Sequence, residues 1–208
     1  MRVSDAFGAL NFLCKYQGID SERIGVIGLS RGGLIAILTA SEKLRARLAN
    51  TNAHFAEHIA VYPVCHVQLK EIDFTGAPML MMLGEKDNIT PAKICIDYSE
   101  RIKQAGLPIE TIIYPGAAHG FTDAKLSGKT VRHKVLADYS KCIDRSVQMN
   151  FDCTWFYPFK NQIFEDYVDW NDLTSDCRKN GQGEIGDPSK VRKQFYQDLK
   201  TFISTLFL

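Results

Sequence analysis

A glycine-rich turn, Gly28-Leu29-Ser30-Arg31-Gly32-Gly33, separates two apolar segments that favour different secondary structure. The segment before it, Arg23 to Leu29, is short, contains β-branched residues and is bounded by turn-forming residues, as expected for a buried strand. The segment after it, Gly32 to Ala40, is apolar on all sides, as expected for a buried helix. A strand followed at once by a helix is typical of α/β proteins.

The rest of the chain repeats this alternation of strands and helices. Further buried strands are predicted at Ile59 to Val64, Met79 to Leu83 and Ile109 to Tyr114. Helices are predicted from Ser4 or Asp5 to Gly18, from Thr90-Pro91 to Gly106 with Thr90 as the cap, and from Asp187-Pro188 onward. We therefore expect one α/β domain over residues 1–208, with a mostly parallel sheet flanked by helices.

A long polar segment, Lys125 to Gly186, interrupts this pattern before the last helix. We call it the insert. It is predicted to be loop-like, and it is rich in large aromatic residues: Trp155, Phe156, Tyr157, Phe159, Phe164, Tyr167 and Trp170. A segment of this length is more than a connection. We expect it to fold over the sheet edge that carries the ends of the strands, or to pack against the last helix.

Composition excludes several classes of partner. The chain has 208 residues, is 45% hydrophobic and carries a formal net charge of +1. It lacks the basic excess that nucleic acids and anionic membranes attract. No apolar run approaches the roughly 20 residues that span a bilayer, and the first residues do not resemble a signal peptide. A cytoplasmic location is the default, with export left open.

Six cysteines are present, and none forms a C-x-x-C pair of the zinc or thioredoxin type. Those among apolar residues are predicted to be buried thiols: Cys14, Cys65 and Cys95. Those in the polar C-terminal third are candidates for a disulfide: Cys142, Cys153 and Cys177. A disulfide between Cys142 and Cys177 would cross-link the insert if the protein is exported.

The glycine-rich turn contains the pattern G-x-S-x-G and has the context of a nucleophile elbow. A tight turn between strand and helix crowds the neighbours of Ser30, which explains Gly28 and Gly32, with Gly33 following. Ser30 would stand at a helix N-terminus, where the Arg31 N–H can stabilise an oxyanion. A phosphate-binding loop is disfavoured because no G-K-[ST] follows.

A serine nucleophile needs a base and an orienting acid, which follow it in the order acid, then histidine, in this type of fold. Asp87 follows the strand at Met79, and His119 follows the strand at Ile109, so both lie at carboxyl ends of strands. Glu85 is the competing acid, and an ordinary turn aspartate or loop histidine is the alternative to a catalytic role. Two further histidines fit this order less well: His66 and His133.

A rival motif is His54-Phe55-Ala56-Glu57-His58, which matches the zinc-binding pattern H-x-x-E-H. That pattern needs both histidines on one face of a helix. Here a strand is predicted to begin at Ile59, so His58 falls at an element boundary. We predict no metal site and a solvated approach to the strand.

Three segments together resemble the dienelactone hydrolase family, a branch of the α/β-hydrolases. They are IGVIGLSRGG at 24–33, PMLMMLGEKDNITP at 78–91 and YPGAAHGF at 114–121. The resemblance runs from about Ser4 to Phe121 and resumes in the last helix. It implies an α/β-hydrolase fold and hydrolysis of small esters or lactones, with no metal or organic cofactor. By match, the family's nucleophile, acid and base fall on Ser30, Asp87 and His119.

Two departures from the family refine this expectation. The best-known members carry cysteine as the nucleophile, so Ser30 indicates an esterase-like or peptidase-like member. The family also has strands before the first helix seen here, and one of their loops supplies the second oxyanion donor. The chain is therefore expected to be the C-terminal portion of the fold, N-terminally incomplete. Either it is a fragment, or an oligomer or a complementing chain supplies the rest.

Three functions remain open from the sequence. The first is a serine hydrolase of carboxylic esters, lactones or related acyl compounds. The second is a peptidase of the prolyl-oligopeptidase type, which shares the elbow. The third is an inactive hydrolase fragment that serves as a binding or structural piece.

Overall fold

The computed structural model of the protein describes residues 3–50, 52–152, 154–165 and 169–205. Cys153, a candidate disulfide partner, and Tyr167, an aromatic residue of the insert, lie outside these ranges. Within them, no helix combines the length and apolar character needed to cross a membrane.

Strands and helices alternate along the described residues, as predicted. The strands are β1 (Val26–Leu29), β2 (His58–Val61), β3 (Val67–Leu69), β4 (Met79–Gly84), β5 (Ile109–Tyr114), β6 (Thr130–His133), β7 (Val147–Met149), β8 (Trp155–Tyr157), β9 (Gln162–Phe164) and β10 (Gly183–Gly186). The α-helices are α1 (Val3–Leu13), α2 (Arg31–Leu38), α3 (Glu42–Leu48), α4 (Ala92–Gln104), α5 (Trp170–Leu173) and α6 (Arg192–Ser204).

The main sheet is fully parallel and has the order β1-β2-β4-β5. Every residue of β4 is buried, because β4 lies inside the sheet and both faces are covered. Met79, Met81 and Leu83 pack in the core that includes α4, whereas Leu80 and Met82 pack in the core that includes Phe195 of α6. The predicted α/β architecture, a mostly parallel sheet with helices on its faces, is confirmed.

All four predicted strands of the main sheet are present, and the helix ends differ from prediction. Helix α1 ends at Leu13 rather than near Gly18, so Tyr16 lies beyond it and is exposed. Helix α6 begins at Arg192 rather than just after Asp187. The Asp187 carboxylate still accepts hydrogen bonds from Val191 N–H and Arg192 N–H, so it caps the helix across a turn.

The insert is more ordered than the predicted loop-like segment. It contains short strands that pair in two places. Strand β6 pairs with β10, antiparallel, and β8 pairs with β7 on one side and β9 on the other, both antiparallel. Strand β7 also pairs, in parallel, with β3, which follows β2 in the chain. Isolated strands of three or four residues carry too little periodicity to be recognised in a sequence.

Two disulfides cross-link the part of the chain that the structure describes. Cys142–Cys177 lies within the insert, as the sequence suggested. Cys65–Cys95 joins the segment after β2 to α4, with Cα atoms 5.1 Å apart. The prediction that Cys65 and Cys95 are buried thiols is therefore wrong in one respect: both are buried, but they are bonded. Cys14 is a free cysteine and packs against the core beneath α1.

Candidate active site

Ser30 stands between β1 and α2 in a sharp turn. Its backbone has φ 55° and ψ −117°, a left-handed region that side-chain-bearing residues seldom occupy. The turn is held by its backbone, because Ser30 N–H donates to the Val61 carbonyl at 2.9 Å and the Ser30 carbonyl accepts from Leu34 N–H. Arg31 is the first residue of α2, so its N–H has no intrahelical partner and is free to face a developing oxyanion.

The glycines around Ser30 are not equivalent. A Cβ on Gly28 would overlap the carbonyl oxygen of Gly32, and a Cβ on Gly33 would lie 2.9 Å from Pro63 Cβ. A Cβ on Gly32 would meet nothing within 4 Å. The steric reason predicted for Gly28 is confirmed, and the one predicted for Gly32 is wrong. The backbone of Gly32 crowds the Cβ position of Gly28, whereas the Cβ position of Gly32 itself is open.

Three side chains from three strand ends meet in one hydrogen-bonded chain. His119 Nε2 lies 3.0 Å from Ser30 Oγ, and His119 Nδ1 lies 2.7 Å from Asp87 Oδ2. Because an ionised carboxylate can only accept, Nδ1 carries the proton and donates to Asp87. Nε2 is then an acceptor, and the Ser30 hydroxyl donates to it. This arrangement can withdraw the hydroxyl proton of Ser30 and hold the resulting imidazolium against Asp87.

Asp87 is deeply buried, and its carboxylate is saturated with donors. Asp87 Oδ1 accepts from Ile89 N–H at 2.9 Å and from Thr90 N–H at 2.8 Å. Asp87 Oδ2 accepts from Thr90 Oγ1 at 2.8 Å in addition to His119. A buried carboxylate without such donors would be strongly destabilising. The predicted capping role of Thr90 is wrong, since Pro91 precedes α4 and the hydroxyl of Thr90 faces Asp87.

Tyr62 is a site residue that the sequence did not reveal. It follows β2, has φ 37°, and its ring centroid lies 4.8 Å from that of His119. Its hydroxyl bonds Thr122 Oγ1 at 2.7 Å, and its carbonyl lies 3.2 Å from Thr90 Oγ1. Burial raises the pKa of Tyr62 above its ordinary value. The Tyr62 ring therefore packs against the His119 imidazole, and no pattern in the sequence predicts such a contact.

The other candidates for acid and base lie elsewhere. Glu85 is exposed, and its carboxylate accepts from Gly116 N–H at 2.9 Å. His66 is buried against Tyr139 and Trp170 of the insert, and burial lowers its pKa to about 3. His133 lies in β6.

The residues of the H-x-x-E-H motif do not form a helix. His58 begins β2, as the predicted element boundary requires, and His58 Nδ1 bonds the Ala36 carbonyl at 2.9 Å. Burial lowers the pKa of His58 to about 4 and raises that of Glu57. The expected solvated approach to the strand is wrong, because Glu57 and His58 are both buried.

Similarity to known proteins agrees with this fold. The model of the dienelactone hydrolase family matches residues 1–143. A probable 2-oxo-3-(5-oxofuran-2-ylidene)propanoate lactonase of Bradyrhizobium sp is 27% identical over 121 residues, which cover 57% of this chain and 48% of that protein. The uncharacterized peptidase YtmA of Bacillus subtilis (strain 168) is 24% identical over 142 residues, which cover 56% of this chain and 55% of that protein.

The fold also resembles that of MGS-M1, an alpha/beta hydrolase enzyme from a Medee basin deep-sea metagenome library. The two structures share a TM-score of 0.50 and 15% identity, covering 98% of this chain and 62% of that one. The chain spans about half the length of the curated relatives described above. The family match extends over well more than half of the chain, through the turn at Ser30 and the segments that carry Asp87 and His119. The chain belongs to the dienelactone hydrolase family.

Proposed function

We propose that the protein is a serine hydrolase that cleaves carboxylic ester, lactone or related acyl bonds, with Ser30 as nucleophile, His119 as base and Asp87 as acid. The observation that carries the proposal is the hydrogen-bonded chain from Ser30 Oγ to His119 Nε2 at 3.0 Å and from His119 Nδ1 to Asp87 Oδ2 at 2.7 Å. Membership of the dienelactone hydrolase family, and a relative named as a lactonase, favour ester and lactone substrates.

The proposed reaction follows from these contacts. Ser30 Oγ attacks the acyl carbon while its proton passes to His119 Nε2. The negative charge that develops on the carbonyl oxygen faces the Arg31 N–H at the start of α2. His119 then protonates the leaving alcohol oxygen, and an acyl group remains on Ser30. Water, deprotonated by His119, releases the acid and restores the free serine.

A peptidase of the prolyl-oligopeptidase type is the second candidate. The similarity to a protein named as a peptidase favours it. The same three side chains would act, and the leaving group would be an amine protonated by His119. Parallel assays with a short p-nitrophenyl ester and with a chromogenic peptide amide compare the two activities.

Active-site titration with a fluorophosphonate tests the proposal directly. This reagent phosphonylates an activated serine and releases fluoride. We expect stoichiometric labelling of the wild-type chain at Ser30, and none in Ser30→Ala. Ser204→Ala, which changes an exposed serine at the end of α6, is the matched control and should label as the wild type does. Absence of labelling in the folded wild-type chain would favour the third possibility, a binding or structural piece.

A further inference from the structure

The insert contacts both loops that carry the proposed acid and base. Asn88, next to Asp87 in the chain, donates through Nδ2 to the Gln182 carbonyl at 3.2 Å and accepts through Oδ1 from Glu184 N–H at 2.8 Å. The Asn88 carbonyl also accepts from Tyr139 N–H at 2.6 Å. Three hydrogen bonds therefore tie the acid turn to two separate parts of the insert.

The same strand of the insert continues to the base. Two residues after Glu184, Gly186 N–H donates to the His119 carbonyl at 2.8 Å, and Ala118 N–H donates to the Gly186 carbonyl at 3.1 Å. Ile185 and His119 form a parallel bridge between these bonds. Strand β10 is thus bonded to the acid turn at its beginning and to the base loop at its end.

Packing between β10 and the acid turn is equally close. A Cβ added to Gly183 would lie 3.0 Å from Ile89 Cγ1 and 2.8 Å from Leu136 Cβ. Ile89 is the residue whose N–H donates to Asp87 Oδ1. A displacement of β10 would therefore be transmitted to a donor of the Asp87 carboxylate.

We propose that Asn88 is a positioning residue, and that through it β10 of the insert holds Asp87 and His119 in register with each other. The inference rests on the proposed function of these two residues. The acid and the base lie 32 positions apart on separate strand ends, and their 2.7 Å contact depends on both loops keeping their relative position. Errors of about 1 Å in such an arrangement cost roughly 100-fold in rate.

The test compares Asn88→Ala with Asn150→Ala. Asn150 Nδ2 donates to Thr154 Oγ1 at 2.7 Å, so the control removes a side-chain hydrogen bond of the insert that has no contact with Asn88 or His119 among the described residues. For Asn88→Ala we expect kcat for a p-nitrophenyl ester to fall roughly 10- to 100-fold with KM within about twofold of wild type. We expect Asn150→Ala to keep the kcat of the wild type.

A second variant covers the case in which Asn88→Ala does not fold. Asn88→Asp keeps the acceptor for Glu184 N–H and replaces the donor that faces the Gln182 carbonyl by an acceptor, so we expect kcat to fall at unchanged KM. The proposal is overturned if a folded Asn88 variant keeps the kcat of the wild type, or loses it only through KM. Ser30→Ala separates this outcome from failure of the proposed function, because it loses activity whenever Ser30 is the nucleophile, whatever Asn88 does.

Discussion

The hydroxyl oxygen of Thr90 lies 2.8 Å from Asp87 Oδ2 and 3.1 Å from His119 Nδ1. The N–H of Thr90 also donates to the other carboxylate oxygen at 2.8 Å. Thr90 therefore contacts both members of the pair that would orient the base. Its hydroxyl carries one hydrogen, which is shared between Asp87 Oδ2 and the Tyr62 carbonyl at 3.2 Å.

Replacing Thr90 by valine removes this hydroxyl and keeps the shape of the side chain. A hydrogen bond to a charged group contributes about 1.5 to 3 kcal/mol, so we expect kcat to fall about 10- to 100-fold. Thr39→Val is the matched control. Thr39 Oγ1 bonds His58 Nδ1 at 3.2 Å and the Ala36 carbonyl at 2.8 Å, away from Ser30, so it should lose stability and keep kcat. Equal losses of kcat in both variants would contradict a specific role for Thr90.

The misassigned role of Thr90 shows where the sequence reaches its limit. Thr-Pro before an amphipathic segment predicts a capped helix, and the helix is present as α4. A threonine hydroxyl can equally bond a side chain three positions earlier, and only the fold decides which bond forms. The same applies to Cys65 and Cys95, whose disulfide depends on α4 packing beside the segment after β2. The pattern of apolar residues predicts helices and strands, whereas the contacts between them depend on how they pack in the folded structure.

The site residues also fall into two groups, those that the sequence predicts and those that only the folded structure reveals. Ser30, Asp87 and His119 could be selected because each follows an apolar strand, and strand ends of a parallel sheet share one edge. Tyr62 and Asn88 also follow strands or strand turns, but no residue pattern separates them from ordinary loop residues. The contact of Tyr62 with His119 and that of Asn88 with β10 become visible only in the folded structure.

Asp87 and Glu85 give opposite expectations in a paired substitution. Asp87→Asn keeps the size of the side chain but no longer orients the Nδ1–H tautomer of His119, so we expect kcat to fall about 10³- to 10⁴-fold. Glu85→Gln changes an exposed carboxylate bonded to Gly116 N–H, and it should leave kcat within about twofold. Steady-state kinetics on one ester decides the matter. The reverse ranking would assign the acid to Glu85.

The disulfide in the insert should contribute to stability. Cys142–Cys177 closes a loop with a sequence separation of 35, which in the chain-entropy model is worth about 3 to 4 kcal/mol. The double variant Cys142→Ala/Cys177→Ala should lower the free energy of unfolding by about that amount. Cys14→Ala, at a free and partly buried cysteine, should cost less. Urea unfolding measures both, and an unchanged midpoint in the double variant would show that the bond is absent or without effect.

Stability should decrease in mild acid because two histidines are buried in neutral form. Burial lowers the pKa of His58 from 6.5 to about 4 and that of His66 from 6.5 to about 3. Below pH 6.5 the unfolded chain binds protons that the folded chain does not. The contribution of these two neutral histidines to the free energy of unfolding is therefore fully present above pH 6.5. It is lost as the pH falls toward 4 and then 3, by roughly 1.4 kcal/mol per pH unit for each histidine.

Urea unfolding at pH 7 and pH 5 measures this loss, and His66→Phe should make it smaller. Phenylalanine keeps the ring packing against Tyr139 and Trp170, and His66 Nε2 has no hydrogen-bond partner within the described part of the chain. His133→Gln, in β6 of the insert, serves as the control and should leave the pH dependence as in the wild type. An equal pH dependence in wild type and His66→Phe would contradict the role of His66.

The two outer glycines of the G-x-S-x-G pattern should respond in opposite ways to alanine. At Gly28 the new Cβ would overlap the backbone oxygen of Gly32, which is anchored in the first turn of α2 and cannot move aside without opening the turn around Ser30. Gly28→Ala should therefore lower the free energy of unfolding by more than about 3 kcal/mol, or prevent folding.

At Gly32 the new Cβ enters open space inside a helix, where alanine is favoured over glycine by roughly 0.5 to 1 kcal/mol. Gly32→Ala should raise the melting temperature slightly. Both substitutions add one methyl group to the same turn. A difference between the melting temperatures of the two variants therefore measures the effect of the overlap between the new Cβ of residue 28 and the Gly32 backbone. Equal destabilisation of the two variants would mean that the turn at Ser30 is crowded on both sides.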